Sequence, residues 1–306
     1  MRVVFFGTPE FAVPSLRALL EEGFDVAGVV TQPDRPQGRS RSALVPPPIK
    51  TVALEEGLPL LQPERPIGPF AEELKALAPD LGVVVAYGHI LKPEILAIAP
   101  LGMINVHASL LPRWRGAAPI AWAILNGDEI TGVSIMQMES GLDSGPVLHQ
   151  IETEVPADET AGELTERLAE LGAEALVEVL MLIEAGAARP VPQDEAFATY
   201  APKVDRALAR LEWSRDAATL ARSVRAFDPA PGAWASLEGH EVKFFGGRIS
   251  NAGGPPGTVI AAGESLVIAA EVGALEVAEV QPAGKRRMPV AEWVRGRGVA
   301  EGQRFT

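Results

Sequence analysis

Residues 103–122 read MINVHASLLPRWRGAAPIAW, and the changes of character along this run decide what fold carries it. Met103-Ile104 enters from Leu101-Gly102 as the short apolar run of a buried strand. Asn105 and His107 then alternate with Val106, so at strand spacing the two polar side chains share one face and Val106 takes the other. Pro112 has no amide to donate and disfavours helix at Leu111, which makes 109–112 an irregular turn. Arg113-Trp114-Arg115-Gly116 follows, and Ala117-Ala118 leads into an apolar helix with Pro119 in its first turn. Open α/β sheets place their chemistry just beyond the carboxyl ends of their strands. Asn105 there can donate to a developing oxyanion, and His107 can move a proton near neutral pH. The alternative is a pair of satisfied polar groups that close the strand.

Residues 132–145, GVSIMQMESGLDSG, add a third group. Val133 and Ile135 alternate with Ser134 and Met136 as a further strand. It ends in a Gly-rich loop with Asp143 between Gly141 and Gly145. A carboxylate at that place can orient His107 and favour its charged form. An Asp beside glycine is also an ordinary turn residue.

The order N-V-H-A-S-L-L-P, R-W-R-G-A-A-P-I and I-M-Q-M-x-x-G-L-D-S-G resembles the formyltransferase family that uses 10-formyltetrahydrofolate. V-F-F-G-T-P-E-F at 4–11, T-Q-P-D-R-P-Q-G-R at 31–39 and V-V-V-A-Y-G at 83–88 extend the likeness over nearly the whole chain. They narrow it to the members that formylate methionyl initiator tRNA. Ala108 departs from the Gly or Pro that many members carry, between the functional positions. The resemblance implies an α/β fold, with an N-terminal Rossmann-like formyltransferase domain on a mainly parallel sheet and a small C-terminal OB-like β-barrel domain. It implies Asn105, His107 and Asp143 as catalytic residues. Ser109, Leu110, Leu111 and Pro112 become a folate-binding turn, and Tyr87-Gly88 a loop that holds the pterin through backbone groups. Phe11 is a candidate for the methionyl pocket, although core packing suits it as well.

Composition sets the outer limits. A chain of 306 residues, 47% hydrophobic and 22% charged, is globular and long enough for two domains. It has no Cys, which removes disulfides, thiolate catalysis and Cys-based zinc sites. The four His fall into no H-E-x-x-H or close pair, so no metal is expected. The N-terminal apolar run, broken by Gly7 and Pro9, is too short for a signal peptide or a membrane span. A cytoplasmic monomer without a membrane segment is the expectation. The net charge of −13 argues against nucleic acid when read globally. Residues 1–202, however, carry 13 basic and 28 acidic side chains, a balance of −15, and 203–306 carry 14 and 12, or +2. RNA can therefore meet local basic surface. Of the 27 basic residues 21 are Arg, which suits a thermophile or a GC-rich genome equally.

Along the chain, a strand over 2–6, a helix over 10–22 and a strand over 25–31 look like a nucleotide-binding α/β unit. G-T-P-E-F-A lacks the G-x-G-x-x-G spacing, and this excludes a dinucleotide cofactor. Residues 32–48 form a long loop carrying Arg35, Arg39 and Arg41, suited to phosphate contact or merely solvated. The resemblance makes it a finger on the tRNA acceptor end. Residues 80–86 read as a strand buried on both faces. Thr160 and Glu163 form a capping box for a helix that runs to 184. The divisions expected are a catalytic domain over 1–188, a Pro-rich linker over 189–206 and the OB-like tRNA-binding domain over 207–306. In the last, a helix over 216–227 precedes five short strands, near 233–237, 241–245, 257–262, 266–270 and 274–280. Lys285-Arg286-Arg287 is the sharpest basic cluster, a tRNA contact or a solvated run.

The chemistry implied is direct attack of an amine on the formyl carbon. Asn105 and protonated His107 serve the oxyanion, and Asp143 receives the amine proton directly or through water. Ser109 has no base paired with it and is not a nucleophile candidate. Two other readings compete. One is the same donor with a small amine acceptor, such as glycinamide ribonucleotide or an amino sugar. The other is a non-catalytic RNA-binding protein on this scaffold.

Overall fold

Val3, Val4, Phe5 and Phe6 have no exposed surface, and a run of four consecutive buried residues requires a strand covered on both faces. The computed structural model, which describes residues 1–37 and 43–306, builds its main sheet around that strand. In chain order the elements are β1 (Arg2–Gly7), α1 (Val13–Glu21), β2 (Asp25–Val30), β3 (Arg35–Gln37), β4 (Ala43–Val45), α2 (Pro48–Glu55), β5 (Leu60–Leu61), α3 (Pro69–Ala76), β6 (Leu81–Val85), α4 (Pro93–Leu96) and β7 (Met103–His107). Then come β8 (Arg115–Gly116), α5 (Pro119–Asn126), β9 (Ile130–Gln137), β10 (Val147–Glu154), α6 (Ala161–Glu184) and β11 (Tyr200–Ala201). The chain ends with α7 (Ala217–Ala226), β12 (Ala233–Leu237), β13 (His240–Phe245), β14 (Arg248–Ser250), β15 (Val259–Ala262), β16 (Leu266–Ala269), β17 (Ala274–Val277), β18 (Glu279–Pro282), β19 (Met288–Pro289) and α8 (Val290–Arg295).

Two compact units result. One comprises Met1–Gly116, Ile130–Glu154 and Thr165–Tyr200; the other comprises Ala117–Glu129, Val155–Leu164 and Ala201–Thr306. The first holds a seven-stranded sheet in the order β10-β9-β7-β6-β1-β2-β5. Its five strands from β7 to β5 run parallel, while β9 is antiparallel to both of its neighbours, β7 and β10. This is the mainly parallel, Rossmann-like sheet that the sequence announces. The chain leaves β1 towards β2 on one side and returns to β6 on the other, so the crevice between β1 and β6 is the switch point where such sheets bind ligands. Thr8 Oγ1 donates to the Tyr87 carbonyl at 2.9 Å across that point. On one face Phe6, Phe70, Leu74, Tyr87 and Ile95 form a buried cluster. On the other, Gly172 of α6 lies against Val106, where a Cβ would approach Val106 Cγ1 to 2.8 Å.

The second unit carries the small β domain expected at the C-terminus, as two four-stranded antiparallel sheets, β12-β13-β18-β19 and β14-β17-β16-β15. Bridges from Phe305 to Leu237 and from Arg304 to Thr258 tie the terminal residues to both sheets. Trp213, Phe244 and Phe305 pack as a ring cluster with centroids 5.2 to 6.0 Å apart.

Three local expectations change. The loop over 32–48 is not structureless where it is described: Arg35, Pro36 and Gln37 pair with Val45, Leu44 and Ala43 as an antiparallel ribbon. Pro36 has no amide for a further neighbour, which suits a two-stranded edge. The strand expected over 274–280 divides at Ala278, because the chain changes sheets there, and alternation of side chains cannot report such a change. The helix Pro119–Asn126 groups with the second unit, where Arg222 Nε of α7 donates to the Leu125 carbonyl at 3.2 Å.

Candidate active site

His107 ends β7 with only 6% of its side chain exposed. Its Nε2 lies 2.9 Å from the Trp114 carbonyl. A carbonyl can only accept, so Nε2 carries a proton and Nδ1 is the nitrogen left for chemistry. Nδ1 lies 3.9 Å from Asp143 Oδ2. That is an ion-pair approach and too long for a hydrogen bond, as is common in catalytic groups before substrate binds. Asp143 Oδ2 also accepts from the Gly116 amide at 2.8 Å. The R-W-R-G segment thus works through its backbone: the carbonyl of Trp114 holds the imidazole and the amide of Gly116 holds the carboxylate. Trp114 at φ 59° and Gly116 at φ 119° give this segment its turn. Trp114 donates its amide to Thr199 Oγ1 at 2.9 Å, and the Arg115 amide donates to the Thr199 carbonyl at 2.9 Å, which fixes the segment from outside.

Asn105 lies two residues before His107 on β7, half-buried, and its carboxamide makes no hydrogen bond among the described residues. It sits between Val84 of β6 and Met136 of β9 in the ladder. A half-buried amide left without a protein partner is a donor available to a ligand.

The expected folate turn is engaged from within. Ser109 Oγ donates to the Arg113 carbonyl, Ser134 Oγ donates to the Ser109 carbonyl, and the Leu111 amide donates to Ser134 Oγ. The Leu111 carbonyl accepts from Gln150 Nε2, and the Leu110 carbonyl accepts from the Arg113 amide. Among the described residues, the Leu110 amide is the donor that this turn leaves open. Leu111 is buried, and Leu110 and Pro112 are half-buried. Tyr87 points away from any ligand: its ring is 1% exposed and packs edge-on to Phe6 at 5.4 Å. Burial pushes its pKa up to about 12, so the phenol stays neutral and takes no part in proton transfer near neutral pH. The Tyr87 carbonyl accepts from both Thr8 Oγ1 and Gln32 Nε2. Ala86 and Gly88 on either side of it are exposed. Phe11 is half-buried in the single 3-10 turn that follows β1.

Among the expected phosphate contacts, Arg35 is exposed on the ribbon and has no ion pair among the described residues. Its neighbour Asp34 is neutralised by Lys50 at 2.7 Å and accepts a hydrogen bond from Gln62 Nε2; these bonds, that from Gln62 first, hold its carboxyl below the usual range. Arg39 and Arg41 lie outside the described residues. The Lys285–Arg286–Arg287 cluster is less basic than its sequence. Arg287 is bonded to Asp228 at 2.8 and 3.2 Å and to Glu279 at 2.7 Å, over the Phe245 ring at 4.0 Å. Burial opposes its charge, and the bonds to Asp228 and Glu279 outweigh that and raise its pKa. Arg286 pairs with Glu292 at 3.1 Å. Lys285 is exposed without an ion pair among the described residues. Asp228 is 6% exposed, so Arg287→Ala leaves a buried carboxylate without its cation. A cost of about 2 kcal/mol is expected, below the range for a fully buried pair because Arg287 is partly solvated. Urea denaturation checks this: the midpoint falls for Arg287→Ala and stays for Lys285→Ala.

Several site residues had no signal of their own in the sequence. Gln193, Glu195 and Thr199 lie in the stretch that reads as linker, and Ser134 and Gln150 lie within strands. Arg115 is 2% exposed; it donates to Gln193 Oε1 at 2.8 and 3.0 Å and to Glu195 at 2.8 and 2.9 Å. The bond to Glu195 is the main cause of its raised pKa, and the same bond lowers that of Glu195. Only a long-range contact reveals such partners. Among the described residues no group of three or more His, Cys, Asp or Glu could hold a metal ion, and no helix is long and apolar enough to cross a membrane.

With this geometry in hand, the chain was compared with known proteins. The family model described as formyl transferase matches residues 1–180, and the model of the formyl transferase C-terminal domain matches residues 203–298. A protein of Methylococcus capsulatus named methionyl-tRNA formyltransferase is 48% identical over 303 residues, covering 98% of each chain. Among solved structures, an N-formyltransferase from Helicobacter canadensis in complex with folinic acid and dTDP-3-aminofucose aligns with TM-score 0.70 at 17% identity, over 92% of this chain and 98% of that one. HypX from Aquifex aeolicus in complex with tetrahydrofolic acid aligns with TM-score 0.67 at 23% identity, over 96% of this chain; the match spans only 47% of HypX. At these identities the two structures show a shared fold.

Proposed function

The chain belongs to the formyl transferase family, and we propose that it moves the formyl group of 10-formyltetrahydrofolate to the free amino group of methionyl initiator tRNA. The curated relative at 48% identity over 98% of both chains supports this acceptor. The observation that carries the chemistry is the Asn105 amide, without a partner among the described residues, on the same strand as the His107 that faces Asp143 at 3.9 Å.

The folate is consumed in the reaction and is therefore a substrate. The residues present suit it: Asn105 and the Leu110 amide are donors without a partner among the described residues, Ala86 and Gly88 are exposed, and Ser109, Leu111 and Pro112 complete the turn beside them. In the reaction the amine nitrogen bonds to the formyl carbon, and the carbonyl π pair moves to oxygen. Asn105 and His107, protonated at Nδ1, donate to that oxygen. The amine proton passes to Asp143, whose Oδ1 accepts no hydrogen bond among the described residues. Collapse re-forms the carbonyl and releases the folate nitrogen, which takes up a proton. No covalent enzyme intermediate and no metal is needed.

In this reading residues 1–188 carry the chemistry, 189–206 link while also bracing the site through Gln193, Glu195 and Thr199, and 207–306 form the OB-like domain that meets tRNA. Arg35, Arg39, Arg41, Lys285 and Arg286 contact phosphate, Arg287 holds the domain itself, and Phe11 lines the methionyl pocket. The enzyme acts as a cytoplasmic monomer. Phosphate contact makes affinity depend on salt. Binding of uncharged initiator tRNA, followed from 50 to 200 mM salt, is expected to weaken with a log–log slope of about −0.7 to −0.9 for each phosphate neutralised. A salt-independent affinity overturns the RNA contact.

A further inference from the structure

We propose that Gln193 is a positioning residue for Asp143: its carboxamide holds the main chain at that residue and two residues beyond it, and it acts on the reaction only through Asp143. The inference rests on the reading of Asp143 as the proton acceptor.

Asp143 has φ +48°, a conformation that Asp enters more readily than most residues with a side chain but that its surroundings still have to select. Three contacts hold it. The Gly116 amide takes the carboxylate. Gln193 Nε2 donates to the Asp143 carbonyl at 2.8 Å and to the Gly145 carbonyl at 2.7 Å. Gly145 is pressed against β9, where a Cβ would come within 1.9 Å of the Gln137 carbonyl oxygen.

The orientation of Gln193 is not free. Its Oε1 accepts from Arg115 Nε and Nη2 at 3.0 and 2.8 Å. A guanidinium only donates and carbonyls only accept, so the amide cannot be flipped, and its two donors and two acceptor sites are all used. Arg115 also directly precedes Gly116, the amide that holds the Asp143 carboxylate. One buried arginine and one glutamine therefore brace the main chain and the side chain of Asp143 together. Glu195 keeps Arg115 in place when Gln193 is changed.

Without Gln193, the Asp143 and Gly145 carbonyls lose their donor and Asp143 can relax to a right-handed conformation, which swings the carboxylate from His107. Misplacement by about 1 Å can cost roughly 100-fold in rate. Gln193→Ala and Gln193→Met are each expected to lower kcat about 30- to 100-fold, with KM for both substrates within about threefold. Gln193→Glu should do no better, because it turns a carboxylate oxygen towards two carbonyls.

The test is a double-mutant cycle on kcat with Asp143→Asn, each protein checked for its thermal midpoint and near-ultraviolet dichroism. A residue that acts through Asp143 has little left to lose in its absence. Gln193→Met in the Asp143→Asn background is expected to change kcat by less than about threefold. A repeat of the full loss in that background overturns the inference, because the effect then bypasses Asp143. So does a Gln193→Met single variant with wild-type kcat beside a crippled Asp143→Asn. A wild-type kcat in Asp143→Asn itself is the distinct result that overturns the reading of Asp143 as the proton acceptor.

Discussion

Asn105→Ala is expected to lower kcat for formyl transfer by about 100- to 1000-fold, the usual effect of deleting one oxyanion donor, and to leave stability nearly unchanged. The second half of that expectation comes from the structure. The Asn105 carboxamide has no partner among the described residues, so truncation breaks no hydrogen bond, and Ile104 and Val106 on either side keep their burial. Its amide acts only when a substrate oxygen arrives, and most strongly when that oxygen gains charge. The loss should therefore fall on kcat more than on KM for the folate. Asn105→Asp should be worse than Ala, since it sets an anion against the forming oxyanion. His107→Ala should lose at least as much rate, but it also strips the Trp114 carbonyl of its donor. Its stability must therefore be measured beside its rate. A folded Asn105→Ala enzyme within tenfold of the parent would remove Asn105 from the mechanism.

Asp143→Asn should cost about 1000-fold in kcat, within the range for a general acid–base group. The substitution keeps the size of the side chain and one oxygen for the Gly116 amide, yet removes the negative charge 3.9 Å from His107 Nδ1. Two proposed functions disappear together: a proton acceptor for the amine and the carboxylate that faces His107 Nδ1. The backbone bonds from Gln193 to Asp143 and Gly145 are untouched, so the loop should hold its shape. Steady-state rates as a function of acceptor pKa would separate the two. If proton acceptance is what is missing, acceptors of lower amine pKa should lose less. A uniform loss over all acceptors would assign Asp143 to supporting His107 alone.

The sheet was legible because its strands are covered on both faces, and short unbroken apolar runs such as Val3–Phe6 and Leu81–Val85 suit little but a buried strand. The proposed chemical residues could be named for a different reason. Asn105, His107 and Asp143 stand in short segments that resemble those of the family. The supports of the site were not legible. Gln193 sits in V-P-Q-D-E, a stretch whose composition suits a linker, and its four hydrogen bonds reach residues 48 to 78 positions away. Nothing local announces such a role. The basic cluster at 285–287 is partly neutralised in a way its own three residues do not show. Asp228, 59 positions away, and Glu279, eight positions away, pair with Arg287. Charge read along a chain counts side chains without their partners.

The most direct test of the proposed function is formyl transfer from 10-formyltetrahydrofolate, with charged initiator tRNA, glycinamide ribonucleotide and an amino sugar offered in parallel. The predicted result is product on methionyl-tRNA alone, lost in Asn105→Ala. Product on a small amine with none on the tRNA would contradict the acceptor while keeping the Asn105–His107–Asp143 chemistry. No product on any of the three would contradict both, and would leave a protein that binds RNA on a formyl transferase scaffold.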